Sequence, residues 1–277
     1  MKLITYRYRQ QVQVGCLMED RIAPLPYRDM SALIDAGSLP VPGQATVALA
    51  EVELLAPIPR PRQDVICLGI NYLSHAREAG NYDAQAFTKE KAIPIYFSKR
   101  VSEAVPPEGF IDSHPGLVQQ LDYEAELAVI IGKTARNVAP ESVPEHIFGY
   151  TILNDVSARV LQTSHKQWYF GKSLDGFTPM GPVIVTADEI AFPPALPIRS
   201  YVNGELRQNS TTDLLITGIA DIVAELSAGV TLLPGTIIST GTPAGVGMGF
   251  QPPKFLRPGD VVSCEIEGIG TLRNTVR

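Results

Sequence analysis

Apolar residues recur along most of this chain with a period of two, the spacing of half-buried strands. KLITYRYRQQVQVGCLMEDRIAPL alternates and turns like a meander of short strands, and YRDMSALIDAG reads as one short helix stopped by Gly37. VICLG and AIPIYFSKR are further strands, with SHAREAGNY between them as a loop or short helix. LDYEAELAVII (residues 121–131) alternates first and then turns continuously apolar, as when a strand enters beside a cavity and ends in the core. HIFGYTILNDVSARVLQ is a strand ending near Asn154, and Asn203-Gly204 between two alternating runs predicts a hairpin. The long apolar stretch LLITGIADIVAELSAGVTLL is interrupted at helical spacing by Asp221 and Glu225. It reads as an amphipathic helix around 213–228 and not a membrane span. Glycine-punctuated strands close the chain, and hairpins outnumber βαβ units, so the expected class is α+β with a mixed sheet or distorted barrel. Prolines from Pro57 to Pro61 divide a small β-rich N-terminal domain, 1–60, from a larger one, 61–277. Gly241, Gly245, Gly247 and Gly249 lack the surrounding βαβ unit of a dinucleotide fingerprint.

Composition narrows the function. The 277 residues carry a net charge of −6 without a basic tract, which argues against a nucleic-acid or anionic-membrane surface. With 23 Gly and 23 Pro the chain exceeds the roughly 12% of average usage, in keeping with many tight turns. Cys16, Cys67 and Cys264 are widely spaced in apolar runs, which predicts buried thiols in a reducing compartment, taken as the cytoplasm. MKLITYRYRQ has no apolar core of the kind a signal peptide needs.

One cluster carries chemistry. Glu124 and Glu126 lie two apart in a strand and so share a face, which Asp122 can join. A solvated polar edge is the plain reading of such alternation, but the run that follows Leu127 has no polar face, and Asp155 adds another acid at a strand end. Glu124, Glu126 and Asp155 would give three hard oxygen ligands to Mg2+ or Mn2+, leaving roughly three of six octahedral positions for water or substrate. Zinc suits less well, because His75, His114, His146 and His165 show neither i,i+4 pairing nor a nearby cysteine.

GINYLSHAREAG, YFSKR, DYEAELAVIIGKTARNV, GYTILNDVSAR, WYFGKSLDGFTPMGP, VNGELRQNS, STGTPAGVG and FLRPGDVVSCEIEGIGTLRN follow one another in an order that resembles the fumarylacetoacetate hydrolase family from about residue 64 onward. The resemblance implies a mixed, rolled β-sandwich or barrel with few helices, commonly a homodimer. It implies metal ligands at Glu124, Glu126 and Asp155, and a histidine–glutamate pair at His75 and Glu78 that is ordered when a lid closes. It also implies a lysine reaching the metal site at Lys172, a substrate-carboxylate contact at Thr242, and weaker binding roles for Tyr82, Lys99, Arg159 and Gln162. QTSHKQWYFGKSLDGF resembles the bacterial branch that contains oxaloacetate decarboxylases.

The chemistry this implies acts on a small 2-keto carboxylate, whose carboxylate and keto oxygens can chelate one cation. C–C cleavage then proceeds through a metal-stabilised enolate, by hydrolysis of an acylpyruvate with water activated by His75 and Glu78, or by decarboxylation of oxaloacetate. An isomerase or dehydratase on a related keto acid uses the same enolate, while a non-catalytic binding or scaffold protein would not need the intact site. A lone loop histidine is ordinarily only solvated, and Lys172 could be a surface lysine; the carboxylate cluster is what turns both toward catalysis. Trp168, Tyr169 and Phe170 read either as core aromatics or as an apolar cover. Small and polar residues at about 76–90 are expected to form a mobile lid.

Overall fold

The alternating N-terminal run folds as antiparallel β1 (Lys2–Tyr8), β2 (Gln11–Met18) and β3 (Arg21–Pro24) in the computed structural model, which describes residues 1–82 and 93–277. Helix α1 (Met30–Asp35) is capped by the Asp29 side chain, which accepts from the Ala32 amide at 2.7 Å, and the short β4 (Val47–Ala48) and β5 (Glu53–Leu55) complete this part. Next come β6 (Val65–Gly69), α2 (Leu73–Tyr82), β7 (Ile95–Lys99), β8 (Phe110–Ile111) and β9 (Leu121–Asp122). They are followed by β10 (Ala125–Ile131), β11 (Ile147–Asn154), β12 (Ser157–Ala158), α3 (Arg159–Ser164), α4 (Tyr169–Lys172) and β13 (Met180–Thr186). The chain ends with β14 (Pro197–Val202), β15 (Glu205–Thr211), α5 (Ile219–Gly229), β16 (Ile237–Ser239), β17 (Val261–Ile266) and β18 (Gly270–Val276).

Eleven strands form one mixed sheet in the order β4-β3-β2-β1-β13-β11-β10-β16-β6-β7, with β5 also paired to β1. The N-terminal strands therefore continue the sheet of the larger part, through Lys2 opposite Val185 and Leu3 opposite Ile184. Five strands, β15-β14-β17-β18-β8, form a second sheet, and β9 pairs with β12 in a two-stranded ribbon. Few helices cover these sheets, the α+β architecture that the alternation implied. β10 runs through the middle and is buried on both faces. Leu127, Val129 and Ile131 enter one apolar cluster and Ala128 and Ile130 another, which is why its far half carries no polar residue. The Asn203-Gly204 turn links β14 and β15 with φ of 52° and 81°, the left-handed pair that a two-residue hairpin needs.

Two elements depart from the expected bounds. The strand expected over 121–131 is broken at Tyr123 and Glu124, because side chains capture their amides: Tyr123 N donates to Asp122 Oδ1 at 2.9 Å and Glu124 N to Asn154 Oδ1 at 3.0 Å. The helix expected from about 213 begins at Ile219, after a separate 3-10 turn at Thr212–Leu214, since Asn71 ties down the backbone between them. Ile216 N donates to the Asn71 carbonyl at 2.7 Å and Thr217 N to Asn71 Oδ1 at 2.8 Å. Residues 83–92, most of the expected lid, and the Tyr82 side chain lie outside the described residues. No described helix is long and apolar enough to cross a membrane.

Asn71 also donates through Nδ2 to Thr217 O at 3.0 Å and Thr240 O at 2.8 Å, joining the entrance of α2, the start of α5 and the end of β16. Asn71→Ala is expected to lower unfolding free energy by about 2–4 kcal/mol in a urea titration, from three lost side-chain hydrogen bonds at a buried position. A change within about 0.5 kcal/mol, the range typical of surface substitutions, would contradict this role.

Candidate active site

Register brings the acids together. Ala125 pairs with Asn154 across β10 and β11, so Glu124 and Glu126 flank the point where β11 ends, and Asp155 N donates to Glu124 O at 2.9 Å. One carboxylate oxygen from each of Glu124, Glu126 and Asp155 lies within 4.8 Å of the others. The three residues are only 5%, 1% and 0% exposed, so this is not a solvated edge. Asp155 Oδ1 lies 2.7 Å from Lys99 Nζ, yet makes no directed hydrogen bond. A buried carboxylate oxygen left short of directed donors, in an all-oxygen set, fits a hard divalent cation such as Mg2+ or Mn2+.

Basic groups brace the acids. Lys172 Nζ donates to Glu124 Oε2 at 2.8 Å and to Asp155 Oδ2 at 2.7 Å, and sits 5.3 Å from the Phe97 ring centre. Arg159 Nη1 donates to Glu124 Oε1 at 2.6 Å and to Gln162 Oε1 at 3.0 Å, while its Nε donates to Asp122 Oδ2 at 2.9 Å. Burial opposes ionisation of Glu124, but Lys172, Arg159 and His75 outweigh it and hold its carboxyl well below the usual carboxylate range. Glu126 goes the other way: burial, then the charges of Asp155 and Glu124, push its carboxyl well up despite a hydrogen bond from Ser239. That bond, Ser239 Oγ to Glu126 Oε2, is 2.6 Å long, and Gly241 N reaches the same oxygen at 2.9 Å. Burial would lower the Lys172 ammonium, yet Asp155 and Glu124 raise it, so it stays charged.

The His75–Glu78 pair lies one turn apart on α2, with Nδ1 and Oε2 at 3.1 Å, and His75 shares a pocket with Glu124. The pairing leaves His75 Nε2 for the pocket that the residue lines. Glu78 Oε1 accepts from Gly245 N at 2.9 Å, and Gly249 has no Cβ because one would fall 1.8 Å from that same oxygen. Trp168 closes another wall: its ring lies against Gly69, where a Cβ would meet it at 2.1 Å, and edge-on to Phe97 at 5.3 Å. Tyr169 and Phe170 are exposed. Arg159, Gln162, Lys172 and Thr242 line the same pocket. Roomier surface clefts, such as that lined by Ile34, Leu39 and Phe148, lie away from these groups. The chemistry, and not the volume, marks the site.

Lys99, expected near substrate, lies fully buried behind Asp155 and donates to the Val156 carbonyl at 3.2 Å. The Thr242 hydroxyl donates to Ala125 O at 2.9 Å and accepts from Gln208 Nε2 at 2.7 Å. Gln208 Oε1 accepts from Ala125 N at 3.0 Å, so Thr242 and Gln208 together hold the peptide between the two glutamates. Gln208 and Ser239 carried no local signal, because both arrive from distant strands. Asp122 does not join the acid trio: its carboxylate turns to Arg159 and to the amides of Gly247 and Met248, at 2.6 and 3.0 Å.

The pattern of the fumarylacetoacetate (FAA) hydrolase C-terminal family matches residues 64–277. The chain is 46% identical over 234 residues to the oxaloacetate tautomerase YisK of Bacillus subtilis, covering 84% of this chain and 76% of that protein. It is 42% identical over 248 residues to the mitochondrial oxaloacetate tautomerase of Xenopus laevis, covering 89% and 75%. The solved fumarylacetoacetate hydrolase of Exiguobacterium antarcticum superposes with a TM-score of 0.86 at 41% identity, over 100% of this chain and 99% of that one. By sequence and by fold, this chain belongs to the fumarylacetoacetate hydrolase family.

Proposed function

We propose that the protein moves a proton at C3 of a small 2-keto dicarboxylate of the oxaloacetate class, interconverting its keto and enol forms with Mg2+ or Mn2+ in the acid trio. The observation that carries this reading is one pocket lined both by Glu124 of the buried carboxylate cluster and by His75, which is paired with Glu78. Similarity to two oxaloacetate tautomerases supports the substrate class. The proposal includes a homodimer in a reducing cytoplasm, supported by family habit and by three buried free cysteines.

Glu124, Glu126 and Asp155 would hold the cation, which when bound polarises the keto group and offsets developing negative charge. Arg159 Nη2, buried without a hydrogen-bond partner among the described residues, takes the carboxylate next to the keto group, and Gln162 steadies the guanidinium. His75 Nε2 accepts the proton as the C3–H bond breaks, and Glu78 stabilises the resulting imidazolium through Nδ1. Lys172 places a fixed positive charge beside the forming enolate, and the proton returns to the C2 oxygen to give the enol. Phe97 and Trp168 limit water around these charges.

A second reading keeps the same enolate but breaks a C–C bond, since a histidine paired with a carboxylate can also deprotonate water. His75→Ala and Glu78→Gln should each lower enol-oxaloacetate conversion by roughly 10²–10⁴-fold, followed by ultraviolet absorbance. Acylpyruvate hydrolysis should fall further in both variants than metal-dependent oxaloacetate decarboxylation, which needs no added water. Equal losses in parallel assays would remove water activation from the pair's role.

Chelation should abolish turnover, and Mg2+ or Mn2+ should restore it; activity that survives chelation would refute the metal assignment. In chelator, Lys172→Met should cost about 3–5 kcal/mol in urea unfolding, because it removes one of the two buried cations that each of Glu124 and Asp155 contacts. Mn2+ should return much of that loss, whereas equal stability of variant and wild type in chelator would deny Lys172 its neutralising role.

A further inference from the structure

The glycine-rich segment 241–249 bonds three different carboxylates through its backbone. Gly241 N reaches Glu126, Gly245 N reaches Glu78, and Gly247 and Met248 N reach Asp122, at 2.9, 2.9, 2.6 and 3.0 Å. The first two acids belong to the chemistry described above. Asp122 belongs to neither the trio nor the histidine pair, yet it is fully buried and saturated. Its Oδ1 takes the amides of Tyr123 and Gly247, and its Oδ2 takes Met248 N and Arg159 Nε. Ribbon pairing sets Asp122 opposite Ser157, two residues before Arg159 at the start of α3, and the Arg159 side chain reaches back to the Asp122 carboxylate.

The consequence lies in the planarity of guanidinium. Its five N–H bonds form one rigid fork, so fixing two of its nitrogens fixes the third. Asp122 fixes Nε, and Glu124 with Gln162 fixes Nη1. Nη2 is then left with one orientation, buried and without a partner among the described residues, on a residue that lines the pocket. Without Asp122 the fork could roll about its bond to Glu124 and point Nη2 elsewhere.

We propose that Asp122 is a positioning residue for substrate recognition: anchored by the Gly247–Met248 amides, it aims Arg159 Nη2 at the carboxylate of the 2-keto acid. The inference rests on the pocket being a 2-keto acid site, and it adds how that site selects a carboxylate. The glycine segment thereby sets both the His75–Glu78 base and the carboxylate contact. Glycine is required at Gly247, where a Cβ would lie 2.6 Å from Asp122 Oδ1 and 2.5 Å from Lys254 O.

Asp122→Asn keeps the shape but turns an N–H toward donors. Calorimetry of oxalate binding in saturating Mn2+ should show its Kd raised by about tenfold or more, as expected for losing a charge-assisted contact. KM for oxaloacetate should rise in parallel while kcat stays within about threefold, the pattern of lost ground-state binding. Mn2+ affinity without oxalate should stay within about threefold, and in an Arg159→Gln background Asp122→Asn should change the oxalate Kd by less than about twofold. A merely structural role would lower kcat or metal binding and would persist in the Arg159→Gln background; either result overturns the proposal, as does an unchanged oxalate Kd. Should Asp122→Asn fail to fold, Asp122→Glu keeps the charge but displaces the carboxylate by one methylene, and an unchanged oxalate Kd there overturns it equally. Wild-type protein that binds no oxalate would overturn this proposal together with the reading of the site, whereas binding without the Asp122 effect would overturn this one alone.

Discussion

Three carboxylates within 4.8 Å of one another in a dry interior are the constraint around which the rest is arranged. Like charges at that separation cannot all stay ionised without compensation, and burial removes the water that would screen them. The structure meets this in two ways. Glu124 and Asp155 receive whole positive charges from Lys172, with Arg159 and Lys99 behind. Glu126 is hydrogen-bonded by Ser239 Oγ and Gly241 N and feels the Lys172 charge without a direct ion pair, and its carboxyl is the one pushed up. That asymmetry leaves Glu126 as the acid whose ionised form depends most on a cation.

Holding such a cluster also reshapes the backbone. Over Tyr123 and Glu124 the ladder is interrupted, and side chains from elsewhere satisfy the peptide groups: Asp122, Asn154, Gln208 and Thr242. Buried amides and carbonyls must be paired, so a strand that gives up its ladder to present acids has to borrow partners. The borrowing explains why Asp122, Asn154 and Gln208, all buried and polar, gather near the trio without lining the pocket. It also explains the glycine segment. Glycine at 247 and 249 leaves room for these carboxylates, since a Cβ would fall 2.6 Å from Asp122 Oδ1 at the first and 1.8 Å from Glu78 Oε1 at the second.

What could be read from the sequence were the features whose cause is local. Alternation gave the strands, Asn203-Gly204 gave the hairpin, and two-residue spacing put Glu124 and Glu126 on one face. The pairing of β10 with β11 then delivered Asp155 where the strand end suggested. The family resemblance placed His75 and Glu78 as a pair, and α2 spaces them by one turn. Features with distant causes were not legible. Asn71 shortens α5 from 146 residues away, and Gln208 reaches Ala125 across 83. Asp122 obeys the same alternation as its neighbours, yet Arg159 and two glycine-segment amides outcompete the face it was assigned to. The glycines were set aside for lacking a nucleotide fold, and their use as amide donors to carboxylates has no sequence period to betray it.

Charge bookkeeping ties the cluster to its proposed substrate. Apart from the His75–Glu78 pair, four buried acids, Asp122, Glu124, Glu126 and Asp155, face three buried cations, Lys99, Arg159 and Lys172, so that set carries one excess negative charge when ionised. A proton on Glu126 makes this set of side chains neutral, which agrees with the direction in which its carboxyl is pushed. A divalent cation on the fully ionised set makes it singly positive. One carboxylate head then restores neutrality in the interior, where a net charge is expensive. The same arithmetic disfavours a neutral ligand, which leaves the positive charge buried. A 2-keto monocarboxylate head therefore matches the site by charge as well as by chelation, and a second carboxylate on the substrate must find its partner outside this cluster.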